Sequence, residues 1–140
     1  MSLQIPPNCD LTLGIVCVDK STPGRSSWSA TVDVRFANPA GVLQGGFLAA
    51  FADSAMGAAA VTYAQRGGKR KIYAANAEMK ISFLAPVEVG TALVCEAEVV
   101  SGSHRAAFVE ASVVTRELKL VARASSTYLF KERGSLQEES

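Results

Sequence analysis

Two different periods of hydrophobic and polar residues run along this chain, and the switches between them mark out its elements. Residues 28–36 alternate strictly: Trp28, Ala30, Val32, Val34 and Phe36 share one face, and Ser29, Thr31, Asp33 and Arg35 the other. A period of two with one apolar face predicts a half-buried antiparallel strand. Residues 11–18, LTLGIVCV, read as an earlier strand, joined to it through the turn-rich DKSTPGRSS. The loop ANPAGVLQGG then leads into FLAAFADSAMGAAAVTYAQ, a proline-free run made mainly of good helix formers. This helix is expected to start near Gly45 or Gly46 and to stop near Arg66, with Gly67 and Gly68 available for a left-handed cap.

Alternation resumes over residues 72–84, with Tyr73, Ala75, Ala77, Met79, Ile81 and Phe83 on an apolar face and Asn76, Glu78, Lys80 and Ser82 opposite. Residues 91–101, 105–116 and 118–130 predict three more strands, joined by Gly102 and Ser103 and by a tight turn near Glu117. Ala107, Val109, Ala111 and Val113 mark an inward face in the middle one. The order is thus two strands, one long helix and four strands in a meander. That order predicts an α+β fold with an antiparallel sheet. A helix that is apolar nearly all round must be enclosed, and a sheet curled about it would do so. The sheet's outer face and edges would stay exposed, so self-association is expected.

Composition narrows the function classes. The 140 residues are the size of one domain, taken as 1–140, with a polar tail from about residue 131 expected to fray. A net charge of +1 argues against a nucleic-acid or membrane-surface binder. Residues 41–64 hold only Asp53 and Tyr63 as ionisable side chains, yet they are mostly Ala and Gly, which gain little from lipid. An Asp near the middle of a span costs about 2.5–3.5 kcal/mol, so a buried core helix is the better reading. Cys9, Cys17 and Cys95 are odd in number and widely spaced, which suits reduced thiols, and no cluster has metal-ligand spacing. The opening MSLQIPPNCD lacks the charged and apolar regions of a secretory signal, so a cytoplasmic protein is expected. His104, the sole histidine, lies in the SGSHR turn, and no G-x-S-x-G elbow accompanies it, which argues against a Ser–His–Asp triad.

The candidate chemistry gathers at the start of the predicted helix: Asn38, Gln44, Gly45, Gly46 and Asp53. The first N–H groups of a helix lack internal partners and carry partial positive charge. Glycines let a carbonyl approach that backbone closely, which suits polarising a thioester and holding its oxyanion. Asp53 is the sole carboxylate between Asp33 and Glu78. A carboxylate on an apolar helix is costly unless paired or functional, and it could act as a general base or as a nucleophile. An Asp that merely points outward at a seam, or caps a turn, is the plain alternative. Asp53 follows Gly45 by eight residues, roughly 12 Å along a helix, too far for both to serve one carbonyl carbon within a subunit. They could meet only across two subunits.

Asn38 to Gly46 (NPAGVLQGG), with Asp53 after it and MKISFLAP (Met79 to Pro86) downstream, resembles the signature of hotdog-fold thioesterases of the phenylacetate-degradation (PaaI-like) group. That signature is Asn, a short Gly-containing loop, His-Gly-Gly, and an acidic residue on the central helix. The resemblance covers roughly residues 28–130. It implies a hotdog fold, an antiparallel sheet wrapped around one central helix. It also implies an acyl-CoA thioesterase active as a dimer or dimer of dimers, with CoA entering only as part of the substrate and no other cofactor. Asp53 falls on the catalytic carboxylate and Gly45 on the glycine whose N–H binds the thioester oxygen. Asn38 falls on a residue that helps to position water or the acyl group, and Gly46 completes the substrate-binding pair. Asn76 falls where relatives often carry Ser or Thr near the attacking water. Its parity opposes the apolar face of its strand, so it would contribute only through a face lined by a neighbouring subunit.

One departure stands out: Gln44 occupies the place of the usual His. Gln donates and accepts hydrogen bonds but carries no proton near neutral pH. If the His only orients the site, Gln44 suffices. If the His is an essential acid, the chain is instead a non-catalytic acyl-CoA or small-ligand binding protein of the same fold. The basic run of Arg66, Lys69, Arg70 and Lys71 could meet CoA phosphates, Arg70 in particular, or could be a solvated loop. A purely structural oligomerising domain is the third reading.

Overall fold

The computed structural model describes residues 6–132; the expected frayed tail falls largely outside this range. The element order is α1 (Asn8–Leu13), β1 (Val16–Asp19), β2 (Arg25–Thr31), a 3-10 turn (Val34–Phe36), α2 (Gly45–Ala64), β3 (Ile72–Phe83), β4 (Ala92–Gly102), β5 (Ala106–Thr115) and β6 (Leu120–Glu132). All six strands form one antiparallel sheet in the order β1-β2-β4-β5-β6-β3. The sheet wraps α2, which packs on β2, β3, β4, β5 and β6. This is the hotdog arrangement that the sequence implied.

Small residues explain how a sheet can close so tightly on a helix. Ala52, Ala55, Ala59 and Ala60 are fully buried, as are Phe51 and Met56 among them. The alanines let strands approach the helix backbone, and the two large side chains fill the space that remains. Burying each large side chain contributes about 1.5–3 kcal/mol. Two polar ties fix the helix on the sheet's first half: the Ser26 hydroxyl donates to the Ala55 carbonyl at 2.6 Å, and the Gly24 N–H donates to the Thr62 hydroxyl at 3.0 Å. The long apolar stretch of α2 is therefore the core helix of the fold. On β5, Ala107, Val109, Ala111 and Val113 are all buried, the inward face that alternation predicted.

Several local readings differ. The predicted strand over residues 11–18 is split. Residues 8–13 form α1, Gly14 ends it in the left-handed region at φ 70°, and β1 begins only at Val16. Pro7 supplies the helix entry at φ −59° and Asp10 sits in the first turn, signals that outweigh the short alternation of LTL. The strand predicted for residues 28–36 stops at Thr31. Asp33 accepts a hydrogen bond from the Arg35 N–H at 2.9 Å and opens the 3-10 turn, so Val34 faces solvent despite its parity. Helix α2 ends at Ala64, slightly earlier than expected, and Gly68 takes a positive φ of 141° in the loop beyond rather than capping it. The last four strands are not a simple meander. β4, β5 and β6 are, but β3 crosses to pair with β6 and forms the far edge. Alternation fixes which face of a strand is buried; it carries no information about which neighbour the strand takes.

Phe51 is the clearest test of the enclosed helix. Phe51→Ala should destabilise the protein by about 3–5 kcal/mol in denaturant unfolding, and a loss below about 1 kcal/mol would mean the site is not enclosed. Cys95 offers a second test. Burial pushes its thiol up to about 12, with a smaller push from Glu96. The folded state then keeps a proton that the unfolded chain releases from the ordinary value of 9.0 upward. Stability should fall as pH rises from about 9 toward 12, and Cys95→Ala should flatten that slope. An unchanged slope in the variant would contradict the assignment.

Candidate active site

Helix α2 begins where the loop before it is tied into place from several sides. The Asn38 side-chain oxygen accepts from the N–H groups of Ala40 (2.9 Å) and Val42 (3.2 Å). The Gln44 N–H donates to the Phe36 carbonyl at 2.8 Å, and the Leu43 N–H to the Val87 carbonyl at 2.7 Å. Asn38 is therefore an Asx-type turn former, a residue that builds the loop leading to the helix start. Gln44 is the N-cap residue but makes no side-chain cap bond.

The two glycines differ in what they admit. A Cβ at Gly45 would lie 3.1 Å from the Phe83 ring, so this glycine lets the end of β3 close on the helix start. A Cβ at Gly46 would lie 2.6 Å from the Gln44 side-chain oxygen, so Gly46 lets the Gln44 amide fold over the first turn. Beside them a cavity of about 380 Å³ is lined by Leu13, Phe36, Gln44, Gly46, Phe47 and Ala50.

Asp53 projects from the middle of α2 toward β3 and β6, and it is solvent-exposed. Its Oδ1 accepts from the Asn76 amide at 3.0 Å and from the Tyr128 phenol at 2.5 Å. The same amide lies 3.3 Å from the Ser126 hydroxyl, and the Tyr128 oxygen is also 3.0 Å from the Asp53 carbonyl. Tyr128 and Ser126 are 1% and 2% exposed, so both polar side chains are buried against the core helix. Burial pushes the Tyr128 phenol well above its ordinary range, and the hydrogen bond and charge of Asp53 push it further. The phenol therefore stays protonated and remains a donor.

Asn76 reaches this cluster within its own subunit, which corrects the expectation from parity. The register of β3 against β6 slips between Asn76 and Glu78: Asn76 pairs with Tyr128, and Glu78 already pairs with Thr127. Ala77 is the extra residue of a β-bulge. The bulge reverses parity, so Ile72, Ala74 and Asn76 face the helix before it and Met79 and Ile81 after it. Bulges re-aim side chains in this way, and they are common beside functional sites. Strict alternation over residues 72–84 hid this one. Tyr128 and Ser126 were also missed, because no inward face was assigned to the strand over residues 118–130, where a tyrosine and a serine read as ordinary strand residues.

Arg70 stands apart from Asp53, beyond the C-terminal end of α2. Its guanidinium donates to the His104 carbonyl at 3.1 Å, lies 3.8 Å from Glu132 and stacks over Phe130. With Arg66, Lys69 and His104 it lines a second cavity of about 420 Å³. A larger depression, about 920 Å³, lies on the sheet's outer face among Ser27, Glu96, Glu98, Glu110 and Arg123, and none of the candidate residues borders it. Among the described residues no group of His, Cys, Asp and Glu could hold a metal ion.

Comparison with known proteins bears on the family and the fold. Residues 40–122 match the family model described as the thioesterase superfamily. No functionally curated protein matches the sequence significantly. Among solved structures, a mutant of the phenylacetic acid degradation protein PaaI from Thermus thermophilus is similar at 28% identity and a TM-score of 0.75, over 86% of this chain and 96% of that one. The E. coli PaaI protein from the phenylacetic acid degradation operon aligns at 23% identity and a TM-score of 0.78, over 86% and 82% of the two chains. A Streptococcus mutans protein solved with acetyl CoA shares the fold at 18% identity and a TM-score of 0.75, over 84% and 89%. The helix, the wrapped sheet and the glycine-rich start of α2 are thus those of a member of the thioesterase superfamily, to which this chain belongs.

Proposed function

We propose that this protein is an acyl-CoA thioesterase that hydrolyses a thioester to a carboxylic acid and CoA. It works as a homo-oligomer, a dimer or a dimer of dimers, in the cytoplasm, and uses no cofactor beyond the CoA of its substrate. The observation that carries this reading is a carboxylate, Asp53, held at one oxygen and exposed to solvent on a helix whose first turn is built from glycine. In the proposed reaction the thioester oxygen rests on the Gly45 N–H, where the unpartnered helix-start amide stabilises the oxyanion. Asp53 acts as general base or as nucleophile. As a base it takes a proton from water while the water oxygen bonds to the acyl carbon. The C–S bond then breaks, its electron pair leaves with sulfur, and the thiolate recovers the proton.

Gly45 and Asp53 are separated by about 12 Å of helix rise, so the site is proposed to form between subunits. β3 is a twelve-residue edge strand running beside Asp53, and an edge of that length favours pairing with a second copy. Gln44 would orient the helix start in place of a histidine, Asn38 and Gly46 would shape the approach, and Arg70 would meet a CoA phosphate.

A panel of acyl-CoA thioesters tests the reading. Wild type should release thiol from at least one of them, and Asp53→Asn should lower kcat by about 10²–10⁴-fold with its circular dichroism unchanged. No turnover of any acyl-CoA or acyl-carrier-protein thioester would overturn it. Thermal stabilisation by CoA without hydrolysis would favour the ligand-binding alternative, which the exchange of His for Gln44 supports.

A further inference from the structure

Three polar side chains on the inner face of the sheet, from two strands, gather at Asp53. Asn76 comes from the bulge of β3, and Ser126 and Tyr128 from β6. A phenylalanine at position 128 would cover nearly the same area without burying a hydroxyl, which is costly unless it is bonded. The Tyr128 phenol has a single proton, and its short contact is to the charged oxygen of Asp53. The Asn76 amide donates to that same oxygen. Among the described residues no donor reaches Oδ2.

From this geometry we infer that Tyr128 is a positioning residue: with Asn76 it fixes Oδ1 of Asp53 and so reserves Oδ2 as the oxygen that meets water or the acyl carbon. The inference rests on the thioesterase reading and adds to it which carboxylate oxygen reacts and what aims it. Two donors on Oδ1 lock the carboxylate torsion and leave Oδ2 without a protein donor among the described residues. Locking matters because small misplacement of a reacting group costs rate steeply. The protonated state of the phenol, kept by its burial, means the lock holds throughout the neutral range. Ser126 accepts from Asn76 and keeps the amide turned toward Asp53.

The test is Tyr128→Phe, which keeps the ring and removes only the hydroxyl. We expect kcat to fall by about 10- to 100-fold with KM changed less than about twofold, since a hydrogen bond to a charged group is lost. In an Asp53→Asn background the same substitution should cause no further loss, because the oxygen being aimed is no longer reactive. A kcat equal to wild type, a change confined to KM, or an equal loss in both backgrounds would overturn the inference while leaving the thioesterase reading standing. A readout independent of activity separates the two. In protein carrying ¹³Cζ-tyrosine, the Tyr128 signal, assigned by its absence in Tyr128→Phe or by elimination of Tyr63 and Tyr73 variants, should shift as Asp53 is titrated and stay flat in Asp53→Asn. A signal that is flat in wild type as well would overturn the contact itself. If wild type hydrolyses no thioester, the hydrolase reading fails, and the reactive-oxygen assignment fails with it, whatever the ¹³Cζ signal shows about the contact.

Discussion

A carboxylate carried on the core helix of a small domain needs donors that come to it, and the way this sheet supplies them determines what the site can do. Helix α2 is enclosed on most sides by strands, so a side chain leaving it meets either packed carbon or solvent. Asp53 is solvent-exposed. Asn76 and Tyr128 reach it from the two neighbouring strands and hold one of its oxygens. Without them a charged group at that position would be free to rotate, and the helix would carry its cost with no defined use for it. With them it is a fixed anion at the edge of the fold.

The same edge argument runs through the rest of the architecture. Closing a sheet around one helix demands small residues, and α2 supplies Ala52, Ala55, Ala59 and Ala60, all fully buried. At the helix start the demand is sharper. Gly45 lies under the Phe83 ring and Gly46 under the Gln44 amide, so neither has room for a methyl group unless its neighbour moves. The glycine pair is thus required by packing as well as suited to an approaching carbonyl. Both uses call for the same thing, the absence of a side chain at the first turn.

Much of this was legible in the sequence, and the exceptions have physical causes. The central helix was visible because its composition is nearly all apolar and small, and the strands because alternation is strong where one face is buried. The start of α2 and the isolation of Asp53 were visible because glycine pairs and lone acids are rare in such surroundings. Strand order was not legible: β3 pairs with β6, a choice made by long-range packing that leaves no periodic trace. The bulge at Ala77 was hidden because apolar residues happen to continue the pattern across it, so Asn76 was assigned to the wrong face. The early end of β2 was hidden in the same way, since Val34 keeps the alternation while Asp33 turns the chain. Tyr128 could have been singled out only by knowing that it lies opposite Asn76.

In the proposed site a thioester carbonyl sits between the glycine turn of one subunit and Asp53 of another. The most direct measurement is a crystal structure of the protein with an uncleavable acyl-CoA analogue in which a methylene replaces the thioester sulfur. The account predicts a dimer with the carbonyl oxygen on the Gly45 N–H of one protomer and the carbonyl carbon facing Oδ2 of Asp53 in its partner. An analogue bound with its carbonyl remote from Asp53 in every assembly would contradict it, as would a carbonyl held entirely by groups of one protomer.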